Sequence, residues 1–180
     1  VIPGLLERWY DERKVMQGKM REAIQTKEKK QIAFWDKRQL VKKINLNSLY
    51  GAILNPGCRF FDQRIGQSVT LSGRTITKHM ASQTNQIVTG EYDHVGKSII
   101  YGDTDSVYFS AYPILKEDVD AGKIPWTKES VVELYDRISS EVNHTFPDFM
   151  VKAFGVDIDS GGIIKSGREI IASSGLFITK

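Results

Sequence analysis

The sequence predicts an α+β fold, and three observations carry that prediction. Apolar residues recur at helical spacing through the first fifty positions, β-forming residues flank a tight acidic turn near position 104, and strand-like residues follow a second helical region. Pro3 and Gly4 open the first helix, in which Leu5, Leu6, Trp9, Met16, Met20 and Ile24 approximate one face. A lysine-rich turn spans Lys27 to Lys30. A second helix is predicted from near Ala33 through Leu40, Val41, Ile44 and Leu49 to a stop around Gly51, antiparallel to the first. Asn55-Pro56-Gly57 is a turn, Arg59 to Asp62 a short aromatic stretch, and a long helix is expected from about Gly66 to Val88. Ile99-Ile100-Tyr101 and Val107-Tyr108-Phe109 predict two strands joined by a tight turn over Gly102 to Asp105, a hairpin with acids at its tip. Pro113 to Pro125 is expected as a loop and Ser130 to Phe154 as an amphipathic helix. Ser160-Gly161-Gly162 is expected to lead into a strand pair, Ile163-Ile164 and Glu169 to Ala172, with a last strand at Leu176-Phe177-Ile178. No internal repeat or low-complexity segment is present.

Composition excludes several classes. The 180 residues are 41% hydrophobic and 26% charged, as expected of a globular chain and unlike a disordered one. No apolar run approaches the ~20 residues of a membrane helix, so no membrane partner is expected. With one cysteine, Cys58, an internal disulfide cannot form. His79, His94 and His144 lack ligand spacing, so no zinc site is expected. Net charge is only +3, but eleven Lys or Arg residues stand against three acids between Arg13 and Lys43, which makes that stretch a basic limb. The start at Val1 and the stop after a strand-like stretch are read as those of a segment of a longer protein. The absence of a signal peptide suggests a cytoplasmic-type compartment.

Asp103 and Asp105 flank Thr104, so both carboxylates project near one point of the turn. Two such groups repel unless a cation lies between them, and oxygen ligands without nearby Cys or His suit Mg²⁺. Alone, the pair reads equally well as solvated turn residues. The string Ile99 to Val107 also fits the nucleophile motif of haloacid-dehalogenase-type phosphatases, although the immediate return as Val107-Tyr108-Phe109 opposes that context. Lys43, Asn47 and Tyr50 stand at i, i+4 and i+7 and share a helix face. A cation, an amide and a phenol in a row could meet a triphosphate, a sugar and a base pair; the alternative is a solvated Lys beside core-capping Asn and Tyr.

Lys43-Ile44-Asn45-Leu46-Asn47-Ser48-Leu49-Tyr50-Gly51 resembles the Lys-x-x-x-Asn-Ser-x-Tyr-Gly motif of family B DNA polymerases, and Tyr101-Gly102-Asp103-Thr104-Asp105-Ser106 resembles that family's palm motif. Arg59-Phe60-Phe61-Asp62-Gln63-Arg64 and Thr70-Leu71-Ser72-Gly73-Arg74, between them, are similar to the family's T-even-type bacteriophage branch. The resemblance implies fingers helices over residues 1–51 and a partial palm over 52–180, an antiparallel sheet bearing the catalytic hairpin. It implies that Asp105 and Asp103 are catalytic and ligate metal, with Glu169 of Gly167-Arg168-Glu169 beside them. Lys43, Asn47, Tyr50 and Arg13 would bind the incoming nucleotide. Gln17 stands where the family's first fingers helix carries a Lys, with Lys14 or Lys19 as the candidates to compensate. Tyr101, Gly102, Thr104 and Lys180 would meet DNA, Lys180 as the first residue of a primer-binding element.

The implied activity is template-directed transfer of a deoxynucleoside monophosphate to a primer 3′ hydroxyl, with two Mg²⁺ ions in the complete enzyme. Implied partners are primer-template DNA, a deoxynucleoside triphosphate, the remainder of the polymerase (exonuclease, thumb and an earlier palm aspartate) and a sliding clamp. The implied setting is a viral protein in the cytoplasm of a bacterial host. Since the earlier aspartate is absent, the chain alone is expected to be inactive. A non-catalytic nucleic-acid-binding module is the alternative, and the phosphatase a third reading.

Overall fold

The computed structural model describes residues 2–176. Its elements are α1 (Ile2–Gln25), α2 (Lys29–Leu54), α3 (Gln63–Thr89), β1 (Ile99–Asp103), β2 (Ser106–Phe109), α4 (Tyr112–Asp120), α5 (Lys128–Phe154) and α6 (Ile158–Gly161). The chain is therefore mostly helical, with one two-stranded antiparallel sheet among the described residues. Two compact units, residues 1–71 and 72–180, divide inside α3.

In the first unit α1 packs on α2. Side-chain contacts pair Trp9 and Glu12 with Lys42, Arg13 with Gln39 and Lys19 with Trp35. Numbers rise along one helix as they fall along the other, so the pair is antiparallel. Along α2 the shielded residues include Ile32, Trp35, Gln39, Lys42, Leu46, Leu49 and Ile53, at alternating steps of three and four. That spacing is a coiled-coil-like seam. The apolar face read from sequence through Leu40, Val41 and Ile44 is corrected accordingly: these three side chains are 45%, 54% and 53% exposed. The seam instead accepts Gln39 and Lys42, because each finds a polar or aromatic partner on α1. The second helix also starts earlier than Ala33, at Lys29, directly after a turn in which Lys27 takes a left-handed φ of 58°.

The second unit is built on α5. Ile138, Val142 and Phe146 recur every four residues, and all three are buried. Ile76, Met80, Ile87 and Val88 of α3, Phe109 of β2 and Ile164 pack against them. Thr127 caps α5, accepting from the Ser130 backbone N–H, and the Ser130 hydroxyl accepts from the Thr127 N–H in return, a reciprocal capping box. Gly155 ends the helix at φ 66°, a conformation glycine adopts without steric cost.

Two sequence expectations fail here. Residues expected as a loop form α4, since Pro113 sits in its first turn, where a missing N–H costs no hydrogen bond. The strand pair expected at 163–172 does not form among the described residues. Asn143 of α5 takes the place of a strand partner: its Oδ1 accepts from the Ser166 N–H at 2.7 Å and its Nδ2 donates to the Ser166 carbonyl at 3.0 Å. Phe177, Ile178 and Lys180 lie outside the described residues.

Candidate functional site

The hairpin closes with Asp103 opposite Ser106, Gly102 opposite Val107 and Tyr101 opposite Tyr108, leaving Thr104 and Asp105 as a two-residue turn. The Tyr101 and Tyr108 rings lie 5.9 Å apart across the strands. Both carboxylates therefore stand at the turn, as the sequence predicted. Thr104 has a φ of 44°, a region that a β-branched residue rarely occupies. Its hydroxyl donates to Asp103 Oδ1 at 3.0 Å, and the Ser106 hydroxyl donates to the Asp103 carbonyl at 3.2 Å. Asp105 is exposed, and among the described residues no side-chain hydrogen bond or ion pair engages it.

Helix α3 holds the hairpin at both ends. At the tip, the Thr77 hydroxyl donates to the Thr104 carbonyl at 2.8 Å. At the base, Asn85 is fully buried; its Oδ1 accepts from the Ser98 N–H at 3.1 Å and hydroxyl at 2.8 Å, while its Nδ2 donates to the Glu91 carbonyl at 2.7 Å. Gly96 is required beside that amide, because a Cβ there would fall 2.0 Å from Asn85 Nδ2. Phe109 meets the Tyr135 ring at 4.9 Å, and the Tyr135 hydroxyl accepts from the Ala111 N–H, fixing the end of β2 to α5. His79 is buried and stacks on Phe149 with ring centroids 3.8 Å apart; its nitrogens pair with the hydroxyls of Tyr92 and Thr145. Burial pushes the His79 pKa down. Thr77, Asn85 and His79 escaped the sequence reading. A mid-helix Asn is a weak signal, since Asn is a poor helix former; a mid-helix Thr is none.

Glu169 is exposed, next to an Arg168 whose guanidinium grips Asp136 at 2.7 and 3.3 Å. Among the described residues no three Asp, Glu, His or Cys side chains gather into one metal-binding group, so Glu169 does not complete a triad with Asp103 and Asp105 there. The donor set of the turn nevertheless fits a hard divalent cation: it is all oxygen, and among the described residues the Asp105 carboxylate has no hydrogen-bond or ion-pair partner to displace. Asp103 and Asp105 would hold such an ion.

In the first unit, Lys43 and Asn47 are exposed on the α2 face beside the seam. The contrast with Lys42 is informative, because Lys42 is ion-paired to Glu12 and lies 5.8 Å from the Trp9 ring. Lys42 and Arg8 hold the Glu12 carboxyl below the usual carboxylate range. Tyr50 is half-buried, and its hydroxyl donates to the Gly66 carbonyl at 3.3 Å. Arg13 is half-buried and donates to Gln39 at 3.2 Å. Lys14 and Lys19, the residues considered as substitutes beside Gln17, lie over the rings of Tyr10 at 4.4 Å and Trp35 at 4.6 Å. Lys43 and Asn47 are thus the members of the row that face solvent, able to offer a positive charge and an amide to an anionic, hydrogen-bonding ligand.

The paired helices thus carry exposed cations, and the hairpin turn carries two carboxylates. The model of DNA polymerase family B matches residues 1–151, and the chain belongs to that family. It is 38% identical to DNA polymerase II of Escherichia coli (strain K12) over 66 residues, 37% of this chain and 7% of that protein. It is 33% identical to the DNA-directed DNA polymerase of Escherichia phage RB69 over 78 residues, 43% of this chain and 9% of the relative. Over 177 residues, 94% of the chain, it is 28% identical to the DNA polymerase of Pyrococcus glycovorans, spanning 21% of it. The chain thus spans a small part of each of these relatives. No solved structure matches it significantly. Family membership, together with a turn that returns directly as β2, removes the phosphatase reading.

Proposed function

We propose that this chain supplies the nucleotide-contacting fingers helices and the metal-bearing palm hairpin of a replicative DNA-directed DNA polymerase. The activity is template-dependent transfer of a deoxynucleoside monophosphate to a primer 3′ hydroxyl. The observation that carries this reading is the two-residue turn, with Asp103 and Asp105 at its ends and Asp105 open to solvent. Divalent ions, Mg²⁺ in the proposal, would lower the pKa of the attacking hydroxyl and neutralise charge on the phosphates. Asp105 is the direct ligand and Asp103 the supporting one, with Glu169 a secondary candidate. Lys43 binds the triphosphate as a point charge, Asn47 lines the nucleotide pocket, and Tyr50 packs by the nascent pair; Arg13 adds charge on the first helix. Tyr101, Gly102 and Thr104 contact the DNA end, and Lys180 the primer. The proposal extends to a viral polymerase working in a bacterial cytoplasm, with a sliding clamp as a further partner; a phage enzyme is among the relatives of this chain.

Two carboxylates hold an ion weakly, so the purified chain alone is expected not to extend a primer. Joined with the rest of a family B polymerase, it extends one, and Asp105→Asn abolishes extension while primer-template affinity stays within about twofold of the parent. Extension by the Asp105→Asn enzyme at the parent rate contradicts the proposal. The basic limb supports a second reading, a non-catalytic nucleic-acid-binding module. On that reading the assembled protein binds DNA with a steep salt dependence and extends nothing.

A further inference from the structure

Thr77 departs from the pattern of its helix. Thr70 and Thr89, also in α3, donate their hydroxyls to carbonyls of the preceding turn of their own helix, Thr70 to Gln67 at 3.0 Å or Gly66 at 3.2 Å and Thr89 to Asn85 at 2.8 Å. That is the ordinary fate of a threonine inside a helix. The Thr77 hydroxyl can reach the equivalent carbonyl, Gly73 at 3.1 Å, but lies closer to the Thr104 carbonyl, at 2.8 Å. A hydroxyl carries one proton, so it serves one of these acceptors at a time. The shorter contact lands on the residue between the two carboxylates, and that residue is held at a φ of 44°. A β-branched residue in this region is strained, and such strain persists only where the surroundings over-determine it. Helix α3 supplies the restraint: Asn85 fixes the chain entering β1, and Thr77 fixes the turn leaving it.

We propose that Thr77 is a positioning residue for the hairpin carboxylates, its hydroxyl pinning the Thr104 peptide so that Asp103 and Asp105 are pre-set around one divalent ion. This rests on the metal-binding reading of the turn given above. Thr77 touches no substrate and no ion; it acts through the Thr104 carbonyl. Pre-organisation matters here because two carboxylates that must be brought together against their mutual repulsion bind a cation more weakly than two already held apart at the right separation.

The test uses the 180-residue chain and Mn²⁺ as the probe, read by paramagnetic broadening of backbone amide signals. In the parent, Mn²⁺ broadens the signals of residues 101–106 first. Thr77→Val removes the hydroxyl at nearly constant shape. It is expected to weaken that binding about tenfold, to shift the Thr104 and Asp105 amide signals, and to leave the signals of Ile138, Val142 and Phe146 in place. Thr77→Ser, which restores the hydroxyl, returns both the affinity and the turn signals to those of the parent; a purely structural methyl contact would not be rescued this way. Thr77→Val binding Mn²⁺ as the parent does, while Asp105→Asn does not bind, overturns the positioning claim and spares the metal reading. If Asp105→Asn binds as the parent does, the metal reading fails instead. The Thr104 signals then decide the role of Thr77 alone, and their being unmoved in Thr77→Val overturns it.

Discussion

The two units solve the problem of presenting charge in opposite ways. In the helix pair α1–α2, Ala23 and Ile53 are the buried apolar residues, and the rest of the α2 seam, Ile32, Trp35, Gln39, Lys42, Leu46 and Leu49, is only half-buried. In the second unit, Ile138, Val142 and Phe146 are nearly inaccessible, and the buried polar residues His79, Ser82, Thr84, Asn85 and Ser98 all belong to it. Among the described residues, no buried side-chain polar atom lacks a hydrogen-bond partner. A helix pair with so thin a core has few buried contacts to break on deformation, and its Lys43 is exposed. A hairpin braced by buried, satisfied polar groups cannot adjust without breaking them. Under the proposed function, the first design suits charge that must follow a nucleotide and the second suits charge that must hold an ion at a fixed point.

This contrast can be broken most forcefully in the second unit. Phe146→Ala leaves a cavity in the only cluster of fully buried large side chains described, and is expected to cost about 3–5 kcal/mol in chemical denaturation. Asn85→Ala strands the Ser98 N–H and the Glu91 carbonyl, and is expected to cost about 2–3 kcal/mol. Hydrogen exchange should then accelerate at Ser98 and along β1. A loss no greater at Asn85 than at an exposed α2 position would show that the hairpin is not braced from α3.

The pH dependence follows from His79. Burial lowers its pKa in the folded chain, so between the lowered value and the unfolded value of about 6.5 the unfolded state binds more protons. Stability from a neutral His79 is therefore fully present above about pH 6.5 and is lost as pH falls through the folded pKa. Denaturation midpoints measured from pH 7.5 to 5 should decline, and His79→Gln should flatten that slope. The smallest effect belongs to the helix pair. Lys19→Ala removes a contact over the Trp35 ring and is expected to cost about 0.5 kcal/mol, within reach of a careful denaturation titration.

Much of this was legible in the chain. The hairpin was readable because two β-forming runs, Ile99 to Tyr101 and Val107 to Phe109, flank a tight turn that carries the acids. The long α5 was readable as an amphipathic helix; α3 was expected as a helix although its Ser and Thr content blurs its face; and Lys43 and Asn47 do share an exposed face. The α2 seam was misread because its partners at Gln39 and Lys42 are polar, and hydrophobic spacing does not register polar residues. The stretch 163–172 carries Ile163, Ile164, Ile170 and Ile171, which favour strands, yet none forms among the described residues. Its backbone partner is a side chain, Asn143, that no local pattern reveals. Thr77 was invisible for the same reason, its acceptor lying 27 residues away.

The most direct test is the nucleotide dependence of single-turnover incorporation by a family B polymerase carrying this chain, measured for Asp105→Asn and Lys43→Ala side by side. The account predicts that Asp105→Asn loses at least about a thousandfold in rate even at saturating nucleotide, whereas Lys43→Ala keeps most of its maximal rate and needs about tenfold more nucleotide to reach it. Parent-like turnover by Asp105→Asn, or a Lys43→Ala enzyme indistinguishable from the parent at every nucleotide concentration, would contradict it.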